Sequence, residues 1–453
     1  MNDWWERIKA NNPWWGYSEA IKNDTLILEF ENQRYRYFHP LLKTLSTNQD
    51  GVLTLRGPRR VGKSTLVRLI VKRLLLEKNI PKEAVFFFPC DRVEDYNQLF
   101  ELLKTYLEFA RPKTRHRLFI FLDEISFIKD WQRGIKELAD QGWLKNALCL
   151  LTGSSLLDLK FGSEFLAGRR GKISPADIFF YPLSFKDFVK LVAPSINLAN
   201  PPETLFYELP HINKLFYDYL LVGGFPLTIN EFYASGRLSN SIYETFFTWI
   251  ENDLHKTRRN EKTADDLLEN VIRTLTTPVS FVSLAKSISL ASHLAVAEYL
   301  EILEKMFVLF SLNAYLIDQK KRDLKKNKKI YFTDPFIFNC LFLKTRSLQG
   351  DHFLQSQGSL APAIMPLLAE NIVGLHLKRL YPALYWGKTA KNEIDFVGCQ
   401  QGKDAYFEVK YREKIDYSEV QALPDLEIIS KKTFSVQPVK TTPLVLHLLS
   451  ALY

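Results

Sequence analysis

The sequence predicts a multidomain α/β protein, and three observations carry the prediction. Four short apolar runs, 52–55, 84–88, 118–122 and 147–151, alternate with stretches whose apolar residues recur at helical spacing, the pattern of a parallel sheet covered by helices on both faces. Between the first run and the first helix lies Gly57-Pro58-Arg59-Arg60-Val61-Gly62-Lys63-Ser64-Thr65, which fits G-x-x-x-x-G-K-[ST] in the strand-to-helix setting that a phosphate-binding loop requires. The 453 residues, 46% of them hydrophobic, suffice for roughly two to four domains with sizeable cores.

The first 50 residues carry two tryptophan pairs, Trp4-Trp5 and Trp14-Trp15, and an aromatic and basic stretch from Arg34 to His39. Large aromatics mostly serve packing, so this segment is expected to strap the core or a neighbouring subunit rather than to stack on bases. Residues 51–195 are assigned to the core, with helices expected over 66–76, over 95–109 and from the third apolar run to about 141. A stretch rich in Pro, Asn and Ala, 195–202, marks a boundary, and 196–260 reads as a helical lid interrupted at Gly223-Gly224-Phe225-Pro226. Residues 261–345 hold helical stretches to Leu275, over 282–287 and over 294–306, then β-like segments on either side of 318–329, the order of a winged helix-turn-helix. The last segment, 346–453, reads as a further α/β unit.

No apolar run reaches the length of a membrane span, and Met1-Asn2-Asp3-Trp4-Trp5 has neither a basic nor an apolar leader region. A cytoplasmic protein without a membrane partner is expected. Cys90, Cys149, Cys340 and Cys399 lack C-x-x-C pairing and fall in or beside apolar runs, as buried thiols do. The net charge of +9 is compatible with a polyanionic partner and equally with a dispersed solubilising surface.

The residue types of the phosphate loop state its chemistry. Gly57 and Gly62 let the backbone close on phosphates, Lys63 reaches the β- and γ-oxygens, the Ser64 hydroxyl is placed to ligate Mg²⁺, and the helix N-terminus faces the anion. Asp123 and Glu124 end a buried strand where the loop also ends; Asp123 is expected to hold Mg²⁺ and Glu124 to polarise the attacking water. The fourth run leads into Thr152, Ser154 and Ser155, whose hydroxyls can sense the γ-phosphate. The candidate nucleotide-binding residues are thus Gly57, Arg60, Gly62, Lys63, Ser64, Thr65, Thr152 and Ser154, with ATP and Mg²⁺ as cofactors.

In the last unit, 394–397 and 406–411 flank Gln400-Gln401-Gly402-Lys403, a hairpin signal. A loop symmetric about Gln401 and Gly402 sets Asp395 opposite Glu408. Alternation then puts Asp395, Glu408 and Lys410 on one face, and Ile394, Phe396, Phe407 and Val409 on the other. Facing carboxylates repel, so replacing Asp395 or Glu408 by its amide is expected to leave the metal-free fold as stable or more so. A divalent cation would turn the liability into a site, with Lys410 serving the attacking water or the phosphate. Upstream, Glu370 interrupts the helical stripe of Leu367, Val373 and Leu377 and is expected to point inward. Glu370, Asp395 and Glu408 are the candidate ligands for Mg²⁺ or Mn²⁺.

Two resemblances rest on these residues. The set Gly57 to Thr65, Leu122-Asp123-Glu124-Ile125, Leu151-Thr152-Gly153-Ser154-Ser155, Gly168-Arg169-Arg170 and Tyr181-Pro182-Leu183-Ser184-Phe185 resembles a family of prokaryotic, mainly archaeal, AAA-type P-loop ATPases. Its members often carry a winged helix and a restriction-endonuclease-like C-terminal domain, and the resemblance covers nearly the whole chain. It implies that Thr152 or Ser154 holds a sensor position, that Arg169 is the family's Gly-Arg arginine, acting at nucleotide in cis or in a neighbour, and that the protein is a homo-oligomer, with a hexamer favoured. Glu370, Asp395, Glu408 and Lys410, in that order, are similar to the E…D…E-x-K pattern of the PD-(D/E)xK nucleases, archaeal Holliday-junction resolvases among them. In the winged helix, 293–306 would be the recognition helix, and Lys320, Lys321, Arg322, Lys325, Lys326, Lys328 and Lys329 a basic wing suited to DNA phosphates. Glu298, Glu301 and Glu304 argue against sequence readout by that helix. The reading is an ATP-hydrolysing DNA-processing machine with a metal-dependent endonuclease domain acting on branched DNA. The alternatives are a non-nucleolytic nucleotide switch in signalling or defence, and a winged-helix DNA-binding regulator.

Overall fold

The computed structural model describes residues 3–153, 168, 171, 174–199, 202–257, 259–288, 292–324, 327–348, 364–381, 383–390, 392–419, 423, 425–437 and 439–449. Ser154, Ser155, Arg169, Arg170, Lys325 and Lys326 lie outside the described residues. The chain divides into two compact units, Met1–Tyr181 and Pro182–Tyr453.

The first unit is built on five parallel strands, β1 (Gly51–Arg56), β2 (Val85–Pro89), β3 (Leu118–Asp123), β4 (Ala147–Gly153) and β5 (Asp177–Phe179), in the order β2-β3-β4-β1-β5. β4 therefore stands between the strand that enters the phosphate loop and the strand that ends in the acidic pair. Every residue of β1, β3 and β4 is buried, which is why these strands read as continuous apolar runs rather than as alternating ones. Phe86, Phe88, Ile120, Leu122, Cys149 and Leu151 form one cluster with Leu103 and Tyr106 of the helix Tyr96–Ala110 and with Ile135 and Leu138 of the helix Trp131–Asp140. The short strand β5 was not legible in the sequence; it closes the sheet beyond β1.

The N-terminal segment solves the problem of the other edge. β2 has a neighbour on one side alone, so its outer backbone groups need partners. Trp14 and Trp15 each donate their indole N–H to the Val85 carbonyl at 3.0 Å, and the Asn12 amide exchanges hydrogen bonds with Phe87 N–H (2.8 Å) and O (3.0 Å). The Trp15 ring also stacks on Tyr106 and Phe109, so these rings are packed on the core and are not presented to bases.

In the second unit, the helix Leu209–Val222 stops at Gly223, and the Gly224 N–H donates to Asp334 at 2.8 Å. The same carboxylate accepts from Phe336 N–H at 2.8 Å and caps the helix Pro335–Thr345, so the Gly-Gly interruption is a docking point between two helices. Burial pushes the Asp334 carboxyl up to about 7. The helix Phe185–Val192, read with the core from sequence, packs within this unit, its Phe185 and Phe188 rings against Tyr219, with Phe185 also on Phe216.

The helices Glu261–Arg273, Phe281–Ser287 and His293–Lys305 follow, then β6 (Leu309–Leu312), β7 (Ala314–Leu316), β8 (Lys321–Asp323) and β9 (Lys329–Phe332). β6 and β9 pair antiparallel. The β7–β8 hairpin instead joins a seven-stranded mixed sheet with β10 (Ala383–Lys388), β11 (Glu393–Gln400), β12 (Lys403–Lys410), β13 (Leu426–Ser430) and β14 (Lys440–Pro443), in the order β14-β13-β12-β11-β10-β7-β8. The expected basic wing is thereby divided. Lys320, Lys321 and Arg322 are exposed at the sheet's edge strand. Lys328 and Lys329 turn inward: Lys328 reaches Asn313, and Lys329 is 3% exposed.

A second expectation fails for a local reason. The hairpin register is as derived, with Gln400 opposite Lys403 and Phe396 opposite Phe407. Against β10, however, Tyr385 pairs with Val397 and Gly387 with Ile394, so β11 carries one extra residue at Asp395-Phe396. The bulge breaks the alternation. Ile394 and Val397 share a cluster with Tyr406, whereas Phe396 lies against Gly374 of the helix Met365–Leu380, which packs on β9 to β12.

Candidate functional site

In the first unit the phosphate loop, the acidic pair and Thr152 converge at the carboxyl ends of β1, β3 and β4. Gly62 adopts φ +103°, and at Gly57 a Cβ would stand 2.2 Å from the Phe180 carbonyl, so both glycines are sterically required. The helix Lys63–Leu76 has no side-chain cap, leaving its first-turn N–H groups open to an anion, with the Ser64 and Thr65 side chains half-buried beside them. Arg60 is exposed in the left-handed region, at φ 65°. Lys63 is 5% exposed and donates to the Gly57 and Pro58 carbonyls, at 2.9 Å each. These two carbonyls are neutral groups that phosphate oxygens can replace. Glu124 Oε1 is 3.9 Å away.

Thr152 ties the acidic pair together. Its hydroxyl donates to Asp123 Oδ1 at 2.5 Å and accepts from Glu124 N–H at 2.9 Å. Glu124 is held at φ 53°, a conformation that disfavours a non-glycine residue by about 1–2 kcal/mol. The side chain expected to sense phosphate therefore holds the Asp123 carboxylate and the backbone of Glu124. A cleft of about 590 Å³ opens beside Asp123 and Glu124, lined also by Arg7, Asn11, Asp91 and Phe127; Arg7 and Asn11 stand in no motif that marks them for this site. The residues fit ATP with Mg²⁺: open helix amides, an exchangeable lysine and two carboxylates at one strand end. Ser154 and Arg169 are not among the described residues.

In the second unit Glu370, Asp395, Glu408 and Lys410 are brought together, with an unforeseen member. Lys329 Nζ lies 3.0 Å from Glu370 Oε1 and 2.9 Å from Asp395 Oδ1, and Tyr331 donates its hydroxyl to the same Glu370 oxygen at 2.9 Å. Asp395 Oδ2 accepts from Val409 N–H at 2.9 Å, and Asp395 N–H donates to Glu408 Oε2 at 3.2 Å. Lys410 is bound to Glu408 Oε1 at 2.6 Å. Lys329 and Tyr331 face Glu370 together because they stand two apart on β9. Burial pulls the Lys329 ammonium down, but Asp395 and Glu370 outweigh it and raise it above the ordinary lysine range. Burial and then the charge of Asp395 push the Glu370 carboxyl up to about 8, and the same two causes raise Glu408.

Among the described residues no group of three or more His, Cys, Asp or Glu side chains is arranged to hold a metal ion. The expected Mg²⁺ or Mn²⁺ does not fit while Lys329 stands between Glu370 and Asp395. The expected gain from the amide is reversed as well, since Asp395 is bound to an ammonium and a backbone N–H, and neutralising it would leave a buried lysine without its closest anion.

The geometry of the first unit defines a P-loop domain, and comparison with known proteins gives its class. Residues 49–189 match the AAA domain family, and residues 213–348 match a domain of unknown function, DUF8612. No curated protein matches the chain. Among solved structures, the Walker-type ATPase of Pyrococcus abyssi is similar, at 16% identity and a TM-score of 0.45, over 68% of this chain and 97% of that one. The Orc1 protein of Aeropyrum pernix, in complex with DNA, is similar at 13% identity and a TM-score of 0.30, over 72% and 95%. The RuvB Holliday junction branch migration motor of Thermotoga maritima is similar at 14% identity and a TM-score of 0.30, over 65% and 89%. Among the described residues no helix is long and apolar enough to cross a membrane.

Proposed function

We propose that the protein is a cytoplasmic ATPase of the AAA class that couples hydrolysis to work on DNA. The observation that carries the reading is the convergence of the uncapped helix Lys63–Leu76, the exchangeable Lys63 and the Asp123-Thr152-Glu124 chain at one end of the parallel sheet. On binding ATP, Lys63 exchanges the Gly57 and Pro58 carbonyls for phosphate oxygens, and the first-turn amides take up the anion, flanked by Arg60 and Thr65. Mg²⁺, when bound, neutralises charge on the β- and γ-oxygens, with Ser64 and Asp123 as the residues that would hold it. Glu124 orients a water for in-line attack on the γ-phosphorus; the new P–O bond forms as the bond to the β-phosphate oxygen breaks. Thr152 keeps Asp123 and Glu124 in register through the cycle. By resemblance, Ser154 is a candidate sensor of the γ-phosphate beside Thr152, and Arg169 acts at nucleotide in cis or in a neighbouring subunit. ATP promotes homo-oligomerisation, with a hexamer favoured, and light scattering with a non-hydrolysed analogue checks this. The reading stands or falls on turnover: the parent hydrolyses ATP and Lys63→Ala does not.

DNA is proposed as the partner on the exposed cations Lys320, Lys321 and Arg322, which suit backbone phosphates and not bases. Replacing all three with Ala should weaken binding to any sequence and reduce its salt dependence. The carboxylates of the helix His293–Lys305 are engaged within the protein, Glu298 with Arg259 at 2.7 Å, Glu301 with Lys305 and Glu304 with Ser311, which weighs against the regulator reading.

Metal-dependent cleavage of branched DNA, such as Holliday junctions, is the second reading, favoured by the hydrogen-bonded chain of Asp395, Glu408 and Lys410. Lys329 opposes it. Nicking of linear, forked and four-way DNA by the parent protein with Mg²⁺ or Mn²⁺ would establish it, and its absence leaves a non-nucleolytic nucleotide switch.

A further inference from the structure

The carboxylates of the second unit differ from an open metal site in one respect: they already hold a cation. Lys329 is 3% exposed, and its ammonium stands within 3.0 Å of one oxygen each from Glu370 and Asp395. A divalent ion bound to both groups would need its oxygens at about 2.0–2.6 Å, inside the space the ammonium fills, and two cations at that separation repel strongly. The remaining oxygens of Asp395 and Glu408 are engaged too, Asp395 Oδ2 by Val409 N–H and the two Glu408 oxygens by Lys410 and Asp395 N–H. The strand that delivers the lysine is itself fastened. Asn371, fully buried one residue beyond Glu370, accepts from Phe332 N–H at 2.7 Å and donates to Phe332 O at 2.9 Å, which fixes the register of β9 over the helix Met365–Leu380.

We propose that Lys329 is the resident cation of this site, standing where a divalent metal would otherwise bind, and that the Asn371–Phe332 clasp on β9 keeps the site closed to metal. The ammonium, within 3.0 Å of both carboxylates, is what excludes the metal. Removing the Lys329 ammonium, or loosening the strand that holds it, would open Glu370 and Asp395 to Mn²⁺ or Mg²⁺. The inference concerns cation occupancy alone and stands apart from both the ATPase reading and any strand cleavage.

The test compares melting temperatures in EDTA and in Mn²⁺, without nucleotide, for the full-length parent, Lys329→Met, Asn371→Ala and Lys329→Met/Asp395→Asn. Lys329→Met should melt lower than the parent in EDTA and rise by about 5 °C in saturating Mn²⁺. The parent and the double variant should not respond, and Asn371→Ala, which loosens β9 while keeping every charge, should respond by a smaller amount. If Lys329→Met folds only when Mn²⁺ is supplied during expression, that too supports the proposal. Two results overturn it: a parent that responds to Mn²⁺ as strongly as Lys329→Met, or no response in either Lys329→Met or Asn371→Ala.

Discussion

Each unit sets a lysine beside a pair of carboxylates, and the two sets are opposite in state. In the first, Lys63 donates to the Gly57 and Pro58 carbonyls and stays 3.9 Å from Glu124, so lysine and acids are poised for a ligand that carries charge of both signs. In the second, Lys329 is bonded directly to Glu370 and Asp395, and the charges are satisfied internally. The difference lies in what else the lysine can reach. A loop that turns its carbonyls inward gives Lys63 a neutral resting place, whereas β9 sets Lys329 against carboxylates. Counting charged residues in the sequence cannot separate the two cases.

The comparison can be sharpened by removing one acid at a time. The largest effect is expected at Glu124: Glu124→Gln should bind ATP as the parent does and lose about 10²–10⁴-fold in turnover, since only the base is removed. Steady-state ATPase rates with a nucleotide-binding titration check this; parental turnover would remove Glu124 from its role. Next is Asp395→Asn, which strands a buried ammonium and should destabilise the second unit by about 3–5 kcal/mol in urea unfolding. An unchanged midpoint would mean that the Lys329 contact is not maintained in solution.

Thr152→Val is expected to do less. It removes a hydroxyl that donates to Asp123 and accepts from Glu124 N–H, for about 1–3 kcal/mol of stability, with turnover falling while ATP affinity holds. The smallest effect is Glu370→Gln at pH 4.5, within about 1 kcal/mol, because the amide mimics the protonated acid. The sign then follows from the carboxyl at about 8, raised from its unfolded value of 4.5. The folded protein keeps a proton that the unfolded chain gives up, so the stability Glu370 contributes is full below pH 4.5 and is lost as pH rises toward 8. Glu370→Gln cannot titrate, so its advantage over the parent should grow through that window; parallel stability curves would contradict the assignment.

How far the sequence could be read follows from the range of the forces involved. The sheet of the first unit was legible because its order is local: apolar runs of strand length, helical periodicity between them, and a loop whose spacing is set by phosphate geometry. That the tryptophan pairs pack was legible from ring size, but not that Trp14 and Trp15 close the edge of β2, since the partner carbonyl is 71 and 70 residues away. In the second unit the Asp395–Glu408 register came from a symmetric turn, while the bulge at Asp395-Phe396 left no mark, being one extra residue in an otherwise regular strand. By sequence Lys329 belongs to a basic wing suited to DNA phosphates, because it ends a run of basic residues. The signal that could have corrected this is its period-2 relation to Tyr331, which sets both toward one buried face, though the acids they meet lie 39 to 66 residues further on.

The contrast between the two sites is tested most directly by counting manganese. Titration of the parent protein followed by electron paramagnetic resonance, with and without a non-hydrolysed ATP analogue, should find one tightly bound Mn²⁺ per chain with the analogue and none without it. A second tight ion per chain, retained without analogue and lost in Asp395→Asn, would contradict the closed state of the second site. No bound ion in the presence of analogue would contradict the open state of the first.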